Sequence, residues 1–197
     1  MNLDCSSDAT RLRALREGRE SVLDEIVARW QRPLFAFAWR YVHHHADAED
    51  LVIETFVRLH EQRHRLRADT NLSAWLFTTL ANRCHNHHRW RRRHPEQGLE
   101  DAINPAAPAG LALASSTPPP SVEMETDETV AAVRSAIDAL PHDQKTALLL
   151  HHYEHLGYRE IAAIVGCSER GVETRLYRGR QQLRETLRPF MHEVAPR

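Results

Sequence analysis

Residues 158–183 read YREIAAIVGCSERGVETRLYRGRQQL. Two helices and a tight turn can be laid on this stretch. Ile161, Ala162 and Val165 fall on one side of the first helix, as the apolar stripe of an amphipathic element does. Gly166 is the residue type that takes the left-handed conformation closing a helix. Ser168 is a good N-cap for the next one. At about 100° per residue, Val172, Leu176, Gly179 and Leu183 share one face of the second helix. Arg170, Thr174, Tyr177, Arg178 and Gln181 share the opposite face. The first face suits a core. The second offers forked donors, a hydroxyl, an amide and an aromatic ring, the side chains that read base edges and phosphates when a helix lies in a major groove. Taken alone, the stretch fits both a DNA-binding helix-turn-helix and an ordinary helix pair with a solvated charged face. Gly171 sits inside the second helix at a cost of about 1 kcal/mol relative to alanine; a close backbone approach to phosphate would explain it, and so would chance.

Working outward, Val130, Val133, Ile137 and Leu140 form one helical stripe that ends at Pro141, because the residue before proline is biased away from helix. A further helix is expected at about 143–153. Ahead of the stripe, residues 103–121 read INPAAPAGLALASSTPPPS and show no helical period. Pro118–Pro120 should be extended. Structureless stretches of this length are uncommon inside compact domains, so 96–127 is read as a linker. Helical periods return before it, at about 11–31, 33–44, 46–63 and 72–92, with Pro33 expected to divide the first two. The expected fold is all-α: two small helical domains, an N-terminal bundle over 11–95 and a C-terminal helix-turn-helix domain over 128–190, joined by a flexible linker.

Charge follows the same division. The net charge of −1 is the balance of +6 over 11–95, −7 over 96–130, +2 over 131–197 and −2 over 1–10. A basic block, an acidic spacer and a mildly basic block make the outer parts candidates for polyanion contact. Lys145 is the only lysine; the other cations are arginines, suited to forked contacts with phosphate or guanine. No apolar run approaches the roughly 20 residues that span a bilayer, and the polar N-terminus has no signal core, so a cytoplasmic protein without membrane insertion is expected. The three cysteines, Cys5, Cys84 and Cys167, form no Cys-x-x-Cys pair, which leaves free thiols as the expectation. Neither a phosphate-cradling glycine loop nor a nucleophile elbow nor a His-Glu-x-x-His helix is present. No catalytic residue, cofactor or metal is therefore expected. The 14 histidines include pairs at i, i+4, His60/His64 and His151/His155. That spacing can hold zinc, but the histidines are scattered, and a metal sensor is the weaker reading.

Two further segments carry chemistry. In DAEDLVIETFVRLH, residues 47–60, Asp47, Asp50 and Glu54 lie on one helical face and Val52, Phe56 and Leu59 on another. Carboxylates concentrated in a basic domain repel DNA and suit a basic protein partner; intrahelical salt bridges on a solvated face fit equally. In SAWLFTTLANRCHNHHRWRRR, residues 73–93, Leu76, Leu80 and Cys84 share a face, and Asn82, Asn86, Arg89 and Arg93 share another. Amides and guanidiniums along one helix can pair with exposed bases and follow a phosphate backbone; arginines capping the negative end of a helix dipole are the plainer reading. Trp75 is assigned to the core.

In this order, the three segments resemble the extracytoplasmic-function (group IV) branch of the sigma-70 family of RNA polymerase sigma factors. The resemblance covers about 11–95, similar to sigma region 2, and 128–190, similar to sigma region 4. It implies a non-enzymatic factor that binds core RNA polymerase and directs it to particular promoters. Asp47, Asp50, Leu51, Ile53 and Glu54 would face the clamp helices of the polymerase's largest subunit. The C-terminal domain would lie at its flap region. Asn82, Arg83, Asn86, Arg89 and Arg93 would face the −10 element, with the loop at about 62–71 holding an extruded base. Ser168, Arg170, Glu173, Thr174, Arg175 and Arg178 would face the −35 element. An anti-sigma factor would hold the chain inactive. The chain departs from the family where Ile53 replaces the usual glutamine, Asn86 aspartate, Lys145 arginine, Gly171 threonine and Glu173 lysine; the last two bear on −35 preference. A helix-turn-helix regulator acting without polymerase is the rival, and it leaves the acidic face of Asp47, Asp50 and Glu54 idle.

Overall fold

The computed structural model describes residues 5–67, 69–94 and 125–191, with side chains for 8–67, 69–94 and 129–190. Within these, all regular structure is helical: α1 (Cys5–Arg16), α2 (Ser21–Val42), α3 (His45–Gln62), α4 (Leu72–Arg93), α5 (Glu125–Asp138), α6 (His142–His152), α7 (Tyr158–Val165) and α8 (Glu169–Met191). No described helix is long and apolar enough to cross a membrane. Most of the expected linker, including Pro118–Pro120, lies outside the described residues; α5 starts at Glu125, inside the span assigned to the linker.

The N-terminal module is built on α2. Val22, Ile26, Trp30, Leu34, Phe37 and Tyr41 recur at three- and four-residue spacing and are all buried, so one continuous stripe faces α3 and α4. Trp30 and Phe37 both meet the Phe77 ring edge-on, at 6.1 and 5.8 Å between centroids. Pro33 does not divide this region as expected: α2 runs through it unbroken. A proline inside a helix costs about 3 kcal/mol, whereas each large apolar side chain buried contributes about 1.5–3 kcal/mol. Trp30 and Leu34, on either side of the proline, are 1% and 0% exposed, so packing carries the helix across. The break falls instead before Ser21, where Gly18 takes φ +87° and the Arg19 amide closes back on Ala14 O at 3.1 Å.

The C-terminal module folds as its local signals require. Gly166 has φ +71° and its N–H donates to Ala162 O at 2.9 Å, closing α7. Ser168 Oγ accepts from the Gly171 N–H at 3.1 Å, capping α8. Ile161, Ile164, Val172 and Leu176 meet Ala147–Leu150 of α6 in the core. A Cβ on Gly171 would come within 3.2 Å of Cys167 Cβ and 3.1 Å of an Arg175 Nη, so glycine here leaves room for the Cys167 side chain.

The two modules are not merely tethered. Their buried residues form one contiguous core. Thr78 of α4 donates its hydroxyl to Ile164 O at the end of α7, at 2.8 Å. Arg40 of α2 pairs with the nearly buried Glu154 at 3.4 Å and lies over the Tyr153 ring.

Candidate nucleic-acid interface

Three surfaces stand on this frame. On α8, Val172 and Leu176 are 0% and 1% exposed while Arg170, Glu173, Thr174, Tyr177 and Arg178 all face outward. Ser168 is used as the cap, which orients the start of the helix. Arg175 differs from its neighbours. Its guanidinium donates to Gly171 O at 3.2 Å and to Asp143 Oδ2 of α6 at 3.3 Å, so it braces α8 against α6. Tyr177, 68% exposed, lies in a shallow groove with Tyr158, Arg180, Gln181 and Arg184. Arg180 and Arg184 extend the cationic surface beyond the expected residues; the three- and four-residue steps 177, 180 and 184 carried that signal.

On α4, Leu76, Leu80 and Cys84 are wholly buried and Trp75 is partly buried against the core. Asn82, Asn86, Arg89 and Arg93 form the expected exposed ridge. Trp90, 46% exposed, stacks on His94 beside it. Arg83 is not free for DNA in this state, since its guanidinium is ion-paired with Glu54 of α3.

The acidic helix α3 divides differently from its sequence pattern. Asp50 and Glu54 are exposed and Ile53 is 44% exposed. Leu51, expected at the polymerase contact, is 6% exposed and belongs to the core, because it shares a stripe with Ala48, Val52 and Thr55 that faces α2 and α4. Asp47 is turned toward α4, where it accepts from Arg91 at 2.7 Å and lies 2.9 Å from His87 Nε2. Burial pushes its carboxyl up, but His87, His44 and Arg91 outweigh this and hold it at about 2. Asp47 thus locks α3 to α4. Val57, 51% exposed one turn beyond Ile53, was not anticipated; its four-residue spacing from Ile53 marks an apolar edge alongside Asp50 and Glu54. Of the loop at 62–71, residue 68 lies outside the described residues.

Comparison with known proteins bears on these surfaces together. Residues 26–94 match the family model for sigma-70 region 2, and residues 131–183 match sigma-70 region 4. The chain is 27% identical over 187 residues to the RNA polymerase sigma-H factor of Pseudomonas aeruginosa, covering 95% of this chain and 97% of that one. It is 28% identical over 188 residues to the ECF RNA polymerase sigma-E factor of Haemophilus influenzae, covering 94% and 97%. Among solved structures, CnrH in complex with the cytosolic domain of CnrY shares the fold, with a TM-score of 0.66 at 20% identity over 92% of this chain and 97% of that one. The sigma factor RpoE from Bartonella quintana, in complex with the anti-sigma factor NepR, matches with a TM-score of 0.54 at 27% identity over 84% and 96%.

Proposed function

The chain belongs to the sigma-70 family, on its extracytoplasmic-function branch, and we propose that its three surfaces divide the work of initiation. It binds core RNA polymerase and directs transcription to chosen promoters, acting in the cytoplasm where that enzyme works. Asp50 and Glu54, with Ile53 and Val57, dock on the basic clamp helices of the polymerase's largest subunit. The carboxylates set register and the apolar edge contributes desolvation. Asn82, Asn86, Arg89 and Arg93 bind the −10 strand once its bases leave the stack, which favours the open promoter by preferential binding. Arg170, Glu173, Thr174 and Arg178 face the −35 duplex, and the C-terminal module sits at the polymerase flap. Arg83 joins the −10 surface when polymerase takes Glu54 from it. The domains are taken as 11–95 and 128–190 with the linker between. No step of this is catalysis by the chain. The Bartonella quintana relative is bound by an anti-sigma factor, and one acting on this chain would cover the α3 surface.

The observation that carries this reading is the segregation of charge on adjacent helices: acids beside exposed Ile53 and Val57 on α3, and amides with arginines on α4. Glu54→Arg should weaken holoenzyme formation at least tenfold, measured by binding to purified core polymerase, with helical content unchanged by circular dichroism. Unchanged association would remove α3 from the polymerase contact.

A further inference from the structure

Beside the Thr78–Ile164 and Arg40–Glu154 contacts, the seam between the modules holds a set of rings and one buried cation. Lys145 of α6, 2% exposed, donates from Nζ to Tyr41 O of α2 at 2.7 Å and to Asp138 Oδ1 at 2.7 Å. It also lies 4.0 Å from the centroid of the Tyr41 ring. The Tyr41 hydroxyl is 2.8 Å from His142 Nδ1. His142 lies against His85 of α4, with centroids 4.3 Å apart and planes 31° from parallel. His88 meets the Tyr41 ring edge-on at 6.5 Å. Two imidazoles from different modules are thus in ring contact at the entrance to the buried part of the seam.

We infer that this seam is an acid-opened latch: with His85 and His142 neutral the two modules are held together, and proton uptake by the pair separates them.

The surroundings set the direction. Burial, then His85, pushes His142 down to about 4, with Lys145 adding to the effect. Burial and Arg89 push His85 down, and burial and Lys145 push His88 down. Asp143 on α6 pulls His142 and His85 the other way, but it is exposed and shared with Arg175. Asp138 on α5 is occupied by Lys145 and by His43 of α2, 3.4 Å away. Arg89, Arg92 and Arg93 line the same cavity, of about 550 Å³. Among the described residues that act on the stacked pair, Lys145 and Arg89 are positive and Asp143 is the opposing carboxylate.

The closed form binds fewer protons at these histidines than the open form. Closure is therefore fully favoured above the ordinary histidine value of about 6.5 and is lost as pH falls from there toward 4. Each histidine shifts the open-to-closed ratio by up to about tenfold per pH unit in that window. The Lys145–Asp138 pair does not set this transition. Burial raises Asp138, yet His43 and Lys145 hold it at about 2, so Asp138 stays ionised through this window, although its contact to His43 and the Lys145 contact to Tyr41 O cross the seam.

Opening matters if the promoter surfaces are those proposed above. In the closed form α4 and α8 both rest on α7, which puts their axes roughly 20 Å apart at 8–10 Å per packing. Positions −35 and −10 are separated by about 25 base steps, or roughly 85 Å of duplex at 3.4 Å per step. The closed chain cannot engage both.

The test uses the full-length free chain, without polymerase or DNA, so its result is independent of the promoter assignments. The radius of gyration is measured by small-angle X-ray scattering at several pH values between about 7.5 and 5, with helical content followed by circular dichroism. Expansion on acidification at constant helical content is the expected result. His85→Phe/His142→Phe keeps two rings in contact but takes up no proton there, and should stay compact at the acid end. Should that variant fail to close or fold, His142→Gln keeps an acceptor for Tyr41 and should lower the midpoint. A constant radius in the unaltered chain, helix loss in step with expansion, or an unshifted midpoint in the variants would each overturn the latch.

Discussion

Helices α4 and α8 each set a polar ridge above a buried apolar stripe, but they differ in the charged ties added to it. Helix α4 is tied to α3 by charge: Asp47 holds His87 and Arg91, and Glu54 holds Arg83. Helix α8 is held mainly by Val172 and Leu176, with Arg175–Asp143 as its brace. The N-terminal helix proposed to bind the −10 strand therefore shares charged groups with the neighbouring surface proposed to bind polymerase. A partner that takes Glu54 also frees Arg83, so the two N-terminal surfaces are electrostatically coupled. Among the described residues, Arg170 and Arg178 of α8, proposed to face the −35 duplex, have no such tie to a second surface.

The largest difference between the two helices is expected at their buried residues. Leu176→Ala should cost about 2–5 kcal/mol of stability and abolish −35 binding while leaving polymerase association through α3 intact. Leu80→Ala, of similar cost, should impair the −10 and polymerase functions together. Urea denaturation and polymerase pull-down on both variants separate these outcomes.

A smaller effect is expected at the charged tie. Asp47 is held at about 2 in the fold against an ordinary 3.8, so its carboxylate contributes about 2 kcal/mol near neutral pH. The folded value is the lower one. The contribution is present above the unfolded value and is lost as pH falls through about 4 toward 2. Asp47→Asn should remove it, leaving a stability gap to the unaltered chain at pH 7 that narrows at pH 3.

The ridges should also differ in salt response. Arg178→Ala should reduce the slope of log affinity against log salt by about 0.9 on duplex −35 DNA. Arg89→Ala should reduce it by about 0.7 on single-stranded −10 DNA. Equal slopes on both substrates would mean that the ridges do not separate duplex from single strand.

The smallest change is expected at Gly171→Ala. Alanine gains about 1 kcal/mol of helix propensity, opposed by a Cβ 3.2 Å from Cys167 and 3.1 Å from an Arg175 nitrogen. Thermal denaturation should show stability within about 1 kcal/mol of the unaltered chain. A substantial loss of −35 affinity at unchanged stability would instead place the Gly171 backbone against phosphate.

What could be read without the fold was whatever depends on residues three or four positions apart. The faces of α4 and α8, the left-handed Gly166 and the Ser168 cap all follow from helical geometry and backbone sterics. They therefore stood in the residues themselves, as did the family resemblance they carry. Tertiary contact decided the rest. Pro33 sits inside α2 because burial on both sides outweighs its local cost. Asp47 turns inward because α4 packs across α3, which no pattern within α3 discloses, whereas Leu51 follows the stripe of Ala48, Val52 and Thr55. The seam is the extreme case: Tyr41 and His142 are 101 residues apart in the chain and 2.8 Å apart at their polar atoms. Local periodicity encodes which side of a helix is apolar, but which buried surface meets which is chosen only when distant segments compete to leave water.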